Sequence, residues 1–249
     1  MDRFIEHIVE PHRLLLFWQA RESKSRSRFY VGQIVKQGNQ VVLKYDLEGA
    51  EFIKAKELGF HGYPAFPLKH QEHSHQVLEA FMRRLPPRNR SDFGKYLQHF
   101  AINPSSDVSD FALLGYTGAK LPNDGFELVH PFDEPPERFE FLIEIAGFRH
   151  ETEISADDLK EGDSITFRSD PTNSFDSKAI RIESQGRKLG FVPKGCVDVL
   201  HRAFEDGAEV RGEIFRKNGS PDRPLIYVLT HIARGSESPP LLRSFAAFI

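Results

Sequence analysis

Four groups of side chains in this sequence combine residue type and spacing in ways that could do chemistry. The first is a polar loop, Asp170 to Ser177. It runs straight into the alternating segment Ala179, Ile180, Ile182 and, after a turn at Ser184–Gly186, closes on Gly190-Phe191-Val192-Pro193. Asn and Asp side chains in such loops hydrogen-bond nearby backbone, so one reading makes Asn173 and Asp176 turn-capping residues and places Phe175 in the core. The second group is the basic run Arg83, Arg84, Arg88 and Arg90 around Pro86-Pro87. Three readings of it stand: a solvated helix end, where each cation is favourable by about 0.3–1 kcal/mol, a docking surface for a partner protein, or a patch for nucleic-acid phosphates. The third group, His61, His70, His73 and His75, contains an H-x-x-H-x-H spacing. Apart from Glu72 no Cys or carboxylate completes it, whereas zinc sites usually present four ligands, so neither a metal nor a cofactor is expected. The fourth is Cys196, which opens a helix after a strand, a place that can lower a thiol pKa. Its position between Gly195 and Val197 also suits inward packing.

The elements that must position these groups divide the chain. In the first part, Phe29–Gln33 and Val41–Tyr45 read as strands around Gln37-Gly38-Asn39, after a polar, basic turn at Ser23–Arg28. Ser74 can cap a helix over 75–85, with Val77, Leu78, Phe81, Met82 and Leu85 at helical spacing, and Ser91 one over 92–101, with Phe93, Leu97 and Phe100. His130-Pro131-Phe132-Asp133-Glu134-Pro135-Pro136 looks like a linker, because adjacent prolines disfavour helix and deny ladder hydrogen bonds. Beyond it, strands are expected at 139–146, 163–168, 178–183, 187–192, 209–216 and 224–231. A helix at about 194–206 carries Val197, Leu200 and Phe204 on one face and stops at Gly207. Six short strands in so short a span suggest a closed or nearly closed barrel, since closure removes exposed edges. The fold class is therefore α+β: a mixed domain at 1–130 with short strands and two or more helices, a linker at 131–137, a small six-stranded β-barrel with one helix at 138–234, and a tail at 235–249.

The chain holds 249 residues with a net charge of only −3. That total hides an asymmetry: residues 20–100 carry a balance of +6, 101–137 of −6 and 138–234 of −2. A uniformly basic nucleic-acid coat is excluded, though a local patch is not. There are 22 Phe against one Trp and six Tyr, so the cores should be packed with phenyl rings. The single Cys cannot form an internal disulfide and fits a reducing, cytoplasmic setting. The apolar run Leu14–Trp18 is far too short to span a bilayer, and no small-residue cleavage site follows it, so neither a membrane partner nor a secretory signal is expected.

The run Asn173-Ser174-Phe175-Asp176-Ser177-Lys178-Ala179-Ile180, followed by Gly190-Phe191-Val192-Pro193, resembles the HIRAN domain signature, N-P-x-D-x-x-A-I and then G-[YF]-[VI]-P. Gly147-Phe148-Arg149-His150 after the opening strand and Leu159-x-x-Gly162-Asp163 before the next extend the resemblance over about 138–232. It implies an OB-related barrel that binds nucleic acid, with a pocket for the 3′ end of single-stranded DNA. Arg149, His150, Asn173, Phe175, Asp176 and Lys178 are then the candidate contacts. An aromatic ring offers a stacking platform for a terminal base, Arg can fork onto phosphate, and Asp176 would accept a hydrogen bond from a free terminal hydroxyl. Ser174, His150 and Phe175 stand where the family often has Pro, Tyr and Tyr.

The first part carries a second resemblance. Phe29-Tyr30-Val31-Gly32, Phe81-Met82-Arg83-Arg84-Leu85-Pro86-Pro87-Arg88 and Phe111-Ala112-Leu113-Leu114-Gly115-Tyr116-Thr117-Gly118-Ala119 resemble the N-terminal subdomain of HipA-type serine/threonine kinases over about 28–120. The phosphate loop, catalytic Asp and metal-binding Asp of such a kinase are missing, and phosphoryl transfer depends on them. The resemblance thus implies a non-catalytic antitoxin that binds a separate HipA-like kinase, with Arg83, Arg84, Arg88 and Arg90 as the docking surface and a barrel that binds single-stranded or duplex DNA. The alternative is a stand-alone HIRAN protein that recognises single-stranded DNA ends in repair or defence. For a third class, a hydrolytic or nucleolytic enzyme, no residues place a metal or a nucleophile.

Overall fold

A computed structural model describes residues 3–20 and 27–235. The expected basic turn at 23–28, apart from Ser27 and Arg28, and the tail at 235–249, apart from Gly235, lie outside the described residues. The first part contains β1 (Arg13–Gln19), β2 (Arg28–Gln37), β3 (Gln40–Tyr45), α1 (Ala50–Glu57), β4 (Gly62–Tyr63), β5 (Phe66–Pro67), β6 (Glu72–His73), α2 (Val77–Met82), α3 (Phe93–His99), α4 (Asp110–Thr117) and β7 (Phe126–Val129). The second contains β8 (Arg138–Glu144), β9 (Ser164–Ser169), β10 (Ile180–Ser184), β11 (Arg187–Phe191), α5 (Lys194–Glu205), β12 (Glu209–Ser220) and β13 (Arg223–Ala233). The chain is α+β, as its patterning implies.

The first sheet has the order β6-β3-β2-β1-β7, and its paired strands are antiparallel. Its core is aromatic: Tyr45, Phe52, Phe60 and Phe81 are fully buried, and the Tyr63 and Phe81 rings lie 4.5 Å apart. The apolar run Leu14–Trp18 is the body of β1, in the middle of that sheet. Helix α4 is capped by Ser109, whose hydroxyl accepts the Ala112 amide at 3.0 Å, and ends at Gly118 with φ +71.

The second sheet has the order β11-β10-β9-β12-β13-β8, with antiparallel pairing throughout. All six expected strands and the helix are present. The β10–β11 turn places Gln185 and Gly186 at φ +50 and +75, the geometry a two-residue type I′ hairpin requires. The sheet is not closed by a ladder. Its two edges meet at a single antiparallel bridge between Ala146, just past β8, and Phe191 in β11, with hydrogen bonds of 2.9 and 2.8 Å. Gly190 makes this possible: its φ is +137, and a Cβ there would stand 2.5 Å from the Ala146 carbonyl oxygen.

The two parts share one continuous buried core. Of the stretch read as a linker, Phe132 is buried and stacks on Phe139, with ring centroids 5.1 Å apart, while Asp133 and Glu134 are exposed. The N-terminal segment crosses to the second part, where the Glu6 and His7 amides donate to the buried Glu140 carboxylate, both at 3.0 Å. Arg3 and Arg202 donate to the carbonyls of Ile214 and Pro131, and Arg216 to that of His99.

Candidate nucleic-acid interface

The loop between β9 and β10 is folded by its own side chains. The Asn173 carboxamide oxygen accepts the amides of Phe175 (3.0 Å) and Asp176 (3.2 Å), and Asp176 Oδ1 accepts the Lys178 amide at 2.9 Å. The Ala179 carbonyl accepts the Asp170 amide at 2.7 Å, which closes the base of the loop. Asn173 and Asp176 are therefore turn-capping residues, as Asx side chains commonly are. Phe175, expected in the core on that same reading, is 97% exposed. A phenyl ring held in water by a loop whose Asn173 and Asp176 bond its own backbone is the reverse of ordinary partitioning. The second oxygen of Asp176 has no hydrogen-bond partner among the described residues.

Arg149 and His150 sit on a 3₁₀ turn, Phe148–His150, that follows Gly147 at φ +83. Buried Phe148 anchors the turn, and both polar side chains are exposed. Arg149 Nε donates to His150 Nε2 at 3.0 Å, which requires a neutral imidazole with its proton on Nδ1. The turn lies against β11, close to Gly190, and β11 pairs with β10, the strand into which the loop feeds. The loop thus leads into β10, and the turn packs on its neighbour β11. No hydrogen bond or ion pair links the turn directly to the loop among the described residues.

Between them stand further residues, of which the sequence signature named only Phe191. Phe191 faces Arg181 across the β10–β11 ladder, and Lys188 Nζ lies 4.3 Å above the Phe191 ring. Helix α5 flanks the loop. His201 Nε2 meets the Lys178 carbonyl at 2.9 Å, Asp198 lies 3.5 Å from Lys178 Nζ, and Lys194 shares their helix face at i, i+4, i+7 spacing.

Electrostatically the surface is nearly balanced. Lys188 pairs with Glu151 (2.9 Å), Lys178 with Asp198, and Arg181 lies 3.8 Å from both Asp170 and Glu183. Arg149 has no carboxylate partner among the described residues.

The other candidate groups fare differently. Arg84 is buried; its guanidinium forks onto Asp124 at 2.7 and 2.8 Å and donates to the Ala119 and Phe126 carbonyls. It holds the α4–β7 connection and faces inward, which corrects its place in a docking surface. Arg88 binds Asp110 and the Val108 carbonyl, Arg90 binds Asp92, and Arg83 is exposed. His73 binds the Pro67 carbonyl, and among the described residues no three His, Cys, Asp or Glu side chains gather to hold a metal ion. Cys196 lines a cavity of about 230 Å³ between the two parts, with Lys120, Glu144 and Tyr227. Burial pushes its thiol up to about 11, so the helix start does not activate it. No helix among the described residues is long and apolar enough to cross a membrane.

Comparison with known proteins agrees with this geometry on one point. No curated protein matches the chain. A solved structure, the HIRAN domain of human HLTF, is similar at 16% identity, with 39% of this chain and 77% of that chain covered and a TM-score of 0.33. A family model described as the HIRAN domain matches residues 139–219. The segment that runs from β8 into β12, with the 3₁₀ turn, the polar loop and the single-bridge closure, is a HIRAN domain.

Proposed function

We propose that this protein is a non-catalytic nucleic-acid-binding protein whose HIRAN domain holds a single-stranded DNA end on the surface formed by the 173–178 loop, the Arg149–His150 turn and β11. The observation that carries this reading is Phe175, 97% exposed on a loop pinned by Asn173. Such a ring is a ready platform for a terminal base, worth about 1–3 kcal/mol per stacked base. Arg149 supplies a guanidinium for the adjoining phosphate, and the open oxygen of Asp176 an acceptor for a terminal hydroxyl. Near-neutral charge argues for recognition of an end over tracking of a long backbone, because phosphate tracking relies on cation excess.

The test is fluorescence anisotropy with a labelled oligothymidylate whose 3′ end is free or blocked, beside a blunt duplex. Phe175→Ala should weaken both single-stranded complexes about tenfold with unchanged melting temperature. Asp176→Asn, which keeps an acceptor for the Lys178 amide, should weaken only the free-end complex. Equal affinity for free and blocked ends would sink end recognition; no binding at all would sink the whole reading. The alternative, that the first part restrains a HipA-like kinase, draws no support from the basic run, since Arg84, Arg88 and Arg90 are bound to carboxylates of their own chain.

A further inference from the structure

The cavity of about 230 Å³ is walled by α3, α4 and β7 of the first part and by β8, β13 and α5 of the second. Much of its wall is aromatic: Phe132 and Phe141 lie 4.9 Å apart, and Phe100 packs on Tyr96 at 5.1 Å. An apolar cavity of about 150 Å³ holds benzene, so this one has room for a ring that carries a polar group.

The charged side of the cavity is a row across three strands. Glu144 of β8, Tyr227 of β13 and Arg216 of β12 are cross-strand partners, so their side chains share one face of the second sheet. Glu144 and Tyr227 line the cavity, and the Arg216 guanidinium carbon lies 3.5 Å from the centre of the Tyr227 ring. From the first part, Lys120 places Nζ 3.4 Å from Glu144 and 2.9 Å from Glu127, and Glu127 also binds Arg28. The cluster therefore sets three cations, Arg28, Lys120 and Arg216, against two carboxylates. Arg216 is the one left over. It is only 9% exposed, and its Nε donates to the His99 carbonyl at 2.9 Å. Among the described residues it makes no ion pair, and its Nη2 is buried with no hydrogen-bond partner. A buried guanidinium N–H without an acceptor is costly, and an anion is the group that satisfies it best.

We propose that this cavity is a site for a small aromatic carboxylate. Its ring packs among Phe100, Phe132 and Phe141, and its carboxylate is drawn to the Tyr227 row, where Arg216 supplies the unmatched charge. Such a ligand touches both parts of the chain and fastens them together. The site is separate from the 173–178 loop and stands whether or not nucleic acid binds there. Cys196, the single cysteine of the chain, lines the same cavity and reports on its occupancy.

The experiment uses the full chain with phenylacetate as probe, phenylacetamide as its uncharged counterpart and acetate as the head group alone. Melting temperature is read by scanning fluorimetry, and alkylation of Cys196 by N-ethylmaleimide is read by mass spectrometry. Phenylacetate at about ten times its dissociation constant should raise the melting temperature by about 3–5 °C and slow the alkylation about tenfold. Phenylacetamide should bind about tenfold more weakly, and acetate should do neither. Arg216→Gln should erase the preference for phenylacetate over phenylacetamide; if that variant does not fold, the same comparison on the parent decides. Failure of phenylacetate to protect Cys196, with or without a melting shift, overturns the proposal. So does equal protection by phenylacetamide at equal concentration, or a preference for the carboxylate that survives in Arg216→Gln.

Discussion

The arginine run at 83–90 and the loop at 170–178 are both polar, both follow a regular element, and both looked like contact surfaces. They are built in opposite senses. In the run, three of the four arginines turn back on the chain, Arg84 onto Asp124, Arg88 onto Asp110 and Arg90 onto Asp92, and Arg83 alone stays exposed without a carboxylate among the described residues. In the loop, Asn173 and one oxygen of Asp176 also turn back, but a whole phenyl ring remains outside. The difference teaches that a candidate side chain must be judged by what it leaves free after the fold has taken its share of hydrogen bonds. Residue type alone does not give that remainder.

The largest effect that would sharpen this contrast is at Arg84. Arg84→Ala strands a carboxylate and two carbonyls at the α4–β7 connection and should destabilise the protein by about 3 kcal/mol, read by denaturant titration, with DNA affinity unaltered wherever the chain stays folded. Equal stability would mean that Arg84 is as dispensable as a docking residue. Close behind is the seam around His130. Its Nε2 meets the Val9 carbonyl at 3.1 Å and its Nδ1 accepts the Phe132 amide at 2.9 Å, so both nitrogens are satisfied only by the neutral ring. Burial lowers its pKa from 6.5 to about 4. With the folded-state value depressed, the unfolded chain binds the proton more readily between those limits. The stabilisation is therefore complete above about pH 6.5 and is lost as pH falls toward 4, by about 2–3 kcal/mol. A His130→Gln variant should show a flatter melting profile across that window.

Asn173 comes next. Asn173→Ala should lower stability by only about 1 kcal/mol yet weaken DNA binding several-fold, because the loop would no longer hold Phe175 outward; Asn173→Asp should restore most of both. Loss of stability without loss of binding would break the idea that inward polar groups serve the outward ring. The smallest effect is at Arg90, whose side chain meets only its near neighbour Asp92 among the described residues. Arg90→Ala should leave melting temperature and DNA affinity unchanged.

The second part was legible because its strands alternate. Ile180 and Ile182 are buried and alternate with the less buried Arg181 and Glu183, and one buried face fixes such a pattern. In the first part the same logic had less to grip. Helix α4 buries Phe111, Ala112, Leu113, Leu114 and Tyr116, so nearly every side is apolar and no helical stripe survives. Strand β7 is four residues long. At the candidate site, the turn-capping roles of Asn173 and Asp176 follow from local chemistry and were readable. The exposure of Phe175 contradicts the general preference of its residue type, and the burial of Arg84 depends on Asp124, forty positions away in the chain. Neither is a local property of the sequence.

The closure at Ala146 and Phe191 has a kinetic meaning. A ladder spreads the work of opening over many hydrogen bonds, whereas this ring of strands is joined at one point by two. Local fluctuations that part the barrel therefore begin there at less free energy than global unfolding requires. The clasp adjoins Lys188, Arg181 and the Arg149 turn, the surface where a strand end is proposed to rest. A ligand that binds only the closed form would give up part of its affinity to keep the clasp shut, and would stabilise the clasp in return. Hydrogen exchange at the amides of Ala146 and Phe191 is the clock on which such occupancy would be read.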